Sequence, residues 1–194
     1  MALFQPELET CPICGSSGNC HVHDYYGRSI IDFRAGKWEK SDLCVLRVIC
    51  DSCEHTHAIL PDIIIPYSSY GLLFILRLLG QYFAGHFTLE QLCERYHISV
   101  NQFYKWLSLW KEHKQAWLGI LSDQDTSNVS FLRNFLLSDS FSSFTMGFIL
   151  RFGYSFLQSH KNPVPASLKN AHYTQKVFAP DISIFPPHDH GMAV

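Results

Sequence analysis

Two kinds of hydrophobic order divide the chain. The runs from Tyr25 to Phe33 and from Leu43 to Ile49, rich in aromatic and β-branched residues, read as two strands. In the second run Leu43, Val45, Arg47 and Ile49 fall on one face, and Cys44, Leu46 and Val48 on the other. The polar stretch Gly36 to Ser41 reads as the connection between the strands. Beyond Pro61 and Pro66 the period changes. Leu72, Ile75, Leu76, Leu79 and Phe83 recur at helical spacing between Ser69 and Ala84, and Gly85 supplies a stop. Thr88-Leu89-Glu90-Gln91 fits a capping box for a short helix with Leu89, Leu92, Cys93 and Tyr96 on its apolar face. His97-Ile98 closes that helix. Ser99-Val100-Asn101-Gln102 repeats the capping pattern and opens a longer helix through Phe103, Trp106, Leu107 and Trp110. A further helical region runs from Ser130 to Gln158, interrupted near Ser138 to Ser143. The segment from Lys161 to Val194 carries five prolines and little periodicity, and reads as an extended or mobile tail.

These elements predict an α+β protein. A β-rich module spans 1–66, a mainly helical domain 67–158, and a proline-containing tail 159–194. Two helices separated by a turn of about three residues, within residues 88–112, outline a helix-turn-helix. Val100, Phe103 and Leu107 should face the core. Asn101, Gln102, Tyr104, Lys105 and Ser108 should face outward. An outward Asn-Gln pair at a helix N-terminus is what base reading in a major groove uses, because both side chains pair bidentately with adenine. Lys105 would contact phosphate. The candidate DNA-binding residues are therefore Ser99, Asn101, Gln102, Tyr104 and Lys105, and the expected partner is double-stranded DNA.

The β-rich module carries the most specific chemistry. Cys11-Pro12-Ile13-Cys14 and Cys50-Asp51-Ser52-Cys53 each have the two-residue gap that lets both thiolates reach one ion from a tight turn. Thirty-five residues separate the pairs, room for two or three strands. Four soft ligands suit a closed, tetrahedral structural Zn²⁺ site, and Gly15 supplies the positive φ such a knuckle needs. Cys20, His21, His23, Cys44, His55 and His57 lie close enough in sequence to stand in for one member of the set.

Charge sharpens the picture only slightly. The net charge is −2, with no polybasic tail. Residues 1–66 hold five Lys/Arg against nine Asp/Glu, whereas residues 67–120 hold five against three, so the helix-turn-helix region is where a polyanion would be favoured. Seven cysteines, four of them in metal spacing, suit a reduced cytoplasmic protein. Met1 to Cys11 lacks the features of a secretion signal, and Leu72 to Leu79 is too short to span a bilayer. No enzyme is expected. There is no phosphate loop, no His-Glu-x-x-His and no Gly-x-Ser-x-Gly, and all seven glutamates occur at or before Glu112.

The run from Cys11 to Gly15, through His23-Asp24-Tyr25-Tyr26-Gly27-Arg28 and Arg47 to Cys53, to His57-Ala58-Ile59-Leu60-Pro61, resembles the N-terminal zinc ribbon of bacterial insertion-sequence transposases. It is similar in particular to short bacterial zinc-ribbon proteins of that type, which carry a helix-turn-helix after the ribbon. The resemblance covers roughly residues 8–115 and implies binding to transposon-end or other DNA, with no catalytic residues carried over. Glu54 stands where such knuckles commonly have glycine. The reading is a DNA-binding, transposase-related protein without a catalytic domain, acting alone, as a homodimer or with a protein partner. The alternative is a protein-interaction module with a structural zinc and no DNA contact.

Overall fold

The structure, a computed structural model, describes residues 4–34, 37–119, 127–136 and 138–159. It is α+β: a three-stranded antiparallel sheet, in the order β1-β2-β3, followed by five helices among the described residues. The strands are β1 (Cys20–Arg34), β2 (Lys37–Cys50) and β3 (Thr56–Ile59). The helices are α1 (Leu72–Phe83), α2 (Leu89–Tyr96), α3 (Val100–Leu118), α4 (Asn128–Leu136) and α5 (Ser138–Phe152). The predicted tail, with its His188-Asp189-His190 cluster, lies outside the described residues, apart from Ser159.

The hairpin is longer than its hydrophobic pattern suggests. Lys37 to Ser41, read above as a connection, is strand, paired from Arg34↔Lys37 to Ile30↔Ser41. An exposed two-stranded ribbon has little need of apolar alternation, so the polar run hid the pairing. The two-face expectation for β2 also changes along the strand. Val45 is buried at an odd position, but Val48 and Cys50 are buried at even ones.

The two ends of the hairpin pack against different things. At one end Cys20 lies opposite Cys50, next to the cysteine pairs. Toward the other end Ile31 and Phe33 pack against the helical core. Four hydrogen bonds tie this outer part to the chain leading into α1. Ile31 N–H donates to the Ser69 carbonyl (2.8 Å), and Gly71 N–H donates to the Ile31 carbonyl (2.9 Å). The Arg28 guanidinium donates to the carbonyls of Ile65 (2.8 Å) and Ser68 (2.5 Å).

The helices form around apolar faces set by the predicted spacing. α1 is buried along Leu72, Phe74, Ile75, Leu76, Leu78 and Leu79, and Gly85 ends it at φ 70°. Phe103, Trp106 and Trp110 carry the core face of α3. His113, one turn further, accepts the Leu157 N–H at Nδ1 (2.9 Å), which ties α3 to the chain after α5. The interruption expected at Ser138 to Ser143 does not occur there: these residues belong to α5. Serine weakens helix propensity by only a fraction of a kcal/mol, and Phe141 and Phe144, both buried, outweigh it.

Candidate functional site

The four predicted cysteines converge. The Sγ atoms of Cys11, Cys14, Cys50 and Cys53 all lie within 4.8 Å of one another. Cys11 and Cys53 are 3.6 Å apart, and Cys14 and Cys50 are 3.7 Å apart. Four sulfurs at the usual metal–thiolate bond length of about 2.3 Å stand about 3.8 Å apart on a tetrahedron, so the cluster fits a tetrahedral metal site.

Two near-identical turns build it. Cys11 N–H donates to the Ser16 carbonyl (2.8 Å) and Gly15 N–H to the Cys11 carbonyl (2.9 Å). In the second pair Cys50 N–H donates to His55 (3.1 Å) and Glu54 N–H to Cys50 (2.7 Å). Gly15 sits at φ 74° and Glu54 at φ 59°, so Glu54 takes the left-handed conformation that the first turn gives to glycine. Ser16 Oγ and Ser52 Oγ, 3.0 Å apart, join the turns on the outside.

The thiols compete for protons. At Cys50 burial pushes the thiol up, but the backbone N–H groups of Ser52 and Cys53, with the thiols of Cys14 and Cys11, bring it down to about 6. At Cys53 the backbone N–H of His55 favours the thiolate, but burial and the other three thiols overcome it and push it up to about 12. One thiolate thus forms readily and raises the cost of the next. A divalent cation would remove that cost.

The alternative ligands take other places. Cys20, buried across from Cys50, is pushed up to about 11, first by burial and then by the neighbouring thiolate charge. Cys44 is exposed opposite Gly27. His55 Nδ1 is 2.8 Å from the Cys53 carbonyl, and His21 pairs with Asp51 at 3.2 Å. His57 comes nearest: its Nε2 lies 3.4 Å from Cys11 Sγ, and burial holds its ring below the ordinary histidine value. It is placed beside the cluster by the pairing of Val48 with His57 in β2–β3.

Other residues quoted for the resemblance are structural. Asp24 accepts from Arg47 Nε (2.6 Å) and from its terminal nitrogen, a forked pair that holds the Asp24 carboxyl below the usual range. The pair sits beside a bulge between Val22 and Asp24.

The helix-turn-helix forms as outlined. Thr88 and Gln91 close a full capping box on α2, and Ser99 Oγ accepts the Gln102 N–H at the start of α3. His97 turns the chain at φ 52°, and Ile98 is buried in the turn. Asn101, Tyr104, Lys105, Ser108 and Lys111 are exposed at spacings of three or four, one outward face; Gln102 is half-buried. Ser99 is exposed at the N-cap. Val100, expected in the core, is exposed instead, because the first residue after the cap starts the outward side while Phe103 and Trp106 fill the interior. Lys114 donates to Asn128 (3.0 Å) and is held against α4.

The fold and cluster together define an α+β protein whose β-hairpin ends in a four-cysteine metal-type centre. Residues 11–98 match the family model described as a domain of unknown function (DUF6431), a span from the first cysteine to the turn before α3. No curated protein and no solved structure matches the chain. Among the described residues no helix is long and apolar enough to cross a membrane.

Proposed function

We propose that the protein binds double-stranded DNA through α3, and that a structural Zn²⁺ held by Cys11, Cys14, Cys50 and Cys53 keeps the hairpin in place. Four thiolates in this spacing favour zinc over hard cations and leave no open position for a substrate. When bound, the ion would supply folding energy and balance the thiolate charge. The chain's own residues would do the reading. Asn101 and Gln102 would pair with base edges, Ser99 and the α3 N-terminus would meet phosphate, and Tyr104 and Lys105 would flank the groove.

The observation that carries this reading is the exposed row Asn101, Tyr104, Lys105, Ser108 on a helix whose N-terminal turn is open. The sequence resemblance of the ribbon to insertion-sequence transposases supports a transposase-related role without strand chemistry. A near-neutral chain makes few phosphate contacts, so the working form is a dimer or a complex with a protein partner. Selection from a random duplex pool at two salt concentrations tests the reading. A recovered sequence preference, bound more weakly as salt rises, supports it. Failure to shift any duplex at low salt removes it and leaves the protein-interaction module in its place.

A further inference from the structure

A second site lies away from the cysteines, in a cleft of about 560 Å³ between the far end of the hairpin and helices α1 and α2. Three cations from three elements line it: Lys37 on β2, Arg77 on α1 and Arg95 on α2. No carboxylate lines it, and among the described residues none of the three forms an ion pair. Both arginines are stacked on aromatic rings, Arg77 over Phe33 at 4.3 Å and Arg95 over Phe87 at 5.2 Å. The Nε of Arg77 is buried with no hydrogen-bond partner among the described residues. Gln81 and Tyr96, bonded to each other at 3.3 Å, also line the cleft. Trp38 lines it too; it is partly exposed, 6.0 Å from the ring of His97.

Like charges gathered around one concavity repel each other, and an anion relieves that repulsion. Stacked guanidiniums are held in place, so they lose little freedom on binding a phosphate, and their planar forks match its oxygens. The cleft is far larger than one phosphate, and its remaining wall is aromatic. That combination suits a planar ring joined to the anion. We propose that this cleft binds a nucleotide: a phosphate held by Arg77, Arg95 and Lys37, with its base against the aromatic wall. The ligand is either a free nucleotide or the end of a nucleic-acid strand. The site shares no residue with the outward row of α3 and stands whether or not α3 reads bases.

Calorimetry on the metal-loaded full chain at low salt tests it, with adenosine monophosphate, inorganic phosphate and a short 5′-phosphorylated single strand as probes. Adenosine monophosphate should bind more tightly than inorganic phosphate. Arg95→Gln and Lys37→Gln, both at exposed positions, should each weaken it about ten-fold while leaving the melting temperature unchanged. Lys105→Ala should leave it unaltered, which separates this site from α3. Tighter binding of the strand assigns the strand end; equal or weaker binding assigns the free nucleotide. The proposal is overturned if the wild-type chain does not bind adenosine monophosphate, if inorganic phosphate binds as well, or if both glutamine variants bind like wild type.

Discussion

The carboxyl of Asp32 occupies the space that a side chain at Gly71 would fill: a Cβ built on Gly71 would lie 1.9 Å from Asp32 Oδ2. Gly71 is the N-cap of α1 and has no side chain to satisfy the first turn. Asp32, from the far part of β1, does so instead. It accepts from the Phe74 N–H and, at 2.8 Å, from the Phe33 N–H. A residue of the hairpin thus caps the first helix of the helical region. Gly71→Ala should displace Asp32 and lose this cap, costing about 2–4 kcal/mol. Asp32→Ala/Gly71→Ala should cost less than the two single changes added together, since the clash is then gone. A double-mutant cycle from denaturant melts gives the coupling, and simple additivity would contradict the arrangement.

The same carboxyl predicts a pH dependence. Burial raises the Asp32 pKa above its ordinary value, against the pull of the two N–H donors. Its folded pKa therefore exceeds the unfolded one. The contribution to stability is fully present below the unfolded pKa and is lost as pH rises through the folded value. Asp24 has the opposite sign: the hydrogen bonds from Arg47 lower it, so its contribution is present above the unfolded pKa and lost as pH falls through the folded value. Asp32→Asn, which keeps an acceptor, should gain on wild type as pH rises from acid to neutral. Asp24→Asn should lose on wild type over the same range. Melting temperatures of both variants, read as differences from wild type, check the two slopes.

Metal removal should unfold the hairpin's cysteine end. About one zinc per chain is expected from metal analysis. A structural zinc contributes on the order of 10 kcal/mol of apparent binding energy in small domains, more than a short ribbon can replace. Chelation, or Cys50→Ser, should lower the melting temperature of the chain. A chelated chain with an unchanged melt would rule out a structural ion.

The two cysteine turns should respond in opposite directions. Gly15→Ala places a side chain at φ 74° and should cost about 1 kcal/mol. Glu54→Gly relieves the same conformation at φ 59° and should raise stability by up to about 1 kcal/mol. Denaturant midpoints on metal-loaded protein distinguish the two.

On α3, Asn101→Ala or Gln102→Ala should relax sequence preference by about 1–3 kcal/mol per reading contact. Lys105→Ala should weaken all duplexes alike and flatten the salt dependence. Equal loss from all three changes at every sequence would mean that α3 contributes charge and no reading.

Cleavage and joining of supercoiled and linear DNA with Mg²⁺ or Mn²⁺ should be absent. All seven glutamates occur at or before Glu112, and a four-thiolate site would leave its ion no open position. Activity that survives purification and disappears on changing Asp123, Asp125 or Asp139 would overturn this.

The cysteine cluster was legible because ligand spacing is a local property: two residues between thiols, a glycine after the first pair, and a strand leading into the second. The capping residues Thr88 and Ser99 were legible for the same reason. What stayed hidden depends on contacts between distant segments. Nothing adjacent to Asp32 in sequence marks it as the cap of a helix that begins forty residues later, although a glycine at the N-cap of α1 was a signal that the cap came from elsewhere. Arg28 lies within the Tyr25–Phe33 strand run, and nothing near it in sequence marks it as a clamp on the carbonyls of Ile65 and Ser68. The cleft draws on β1, β2, α1 and α2 together, so no window of sequence contains it.

The hairpin also behaves as a ruler. Its register is pinned at Cys20↔Cys50 beside the cysteines and, past the bulge between Val22 and Asp24, runs unbroken from Asp24↔Arg47 to Arg34↔Lys37, roughly 33 Å along the strands at about 3.3 Å per residue. A slip of one residue at the cysteine end would turn every side chain of one strand to the opposite face at the other. A slip of β2 would move Lys37 and Trp38 relative to the cleft, and a slip of β1 would take Asp32 away from α1. An ion held at one end would therefore set which side chains meet the helices at the other, without touching any of them.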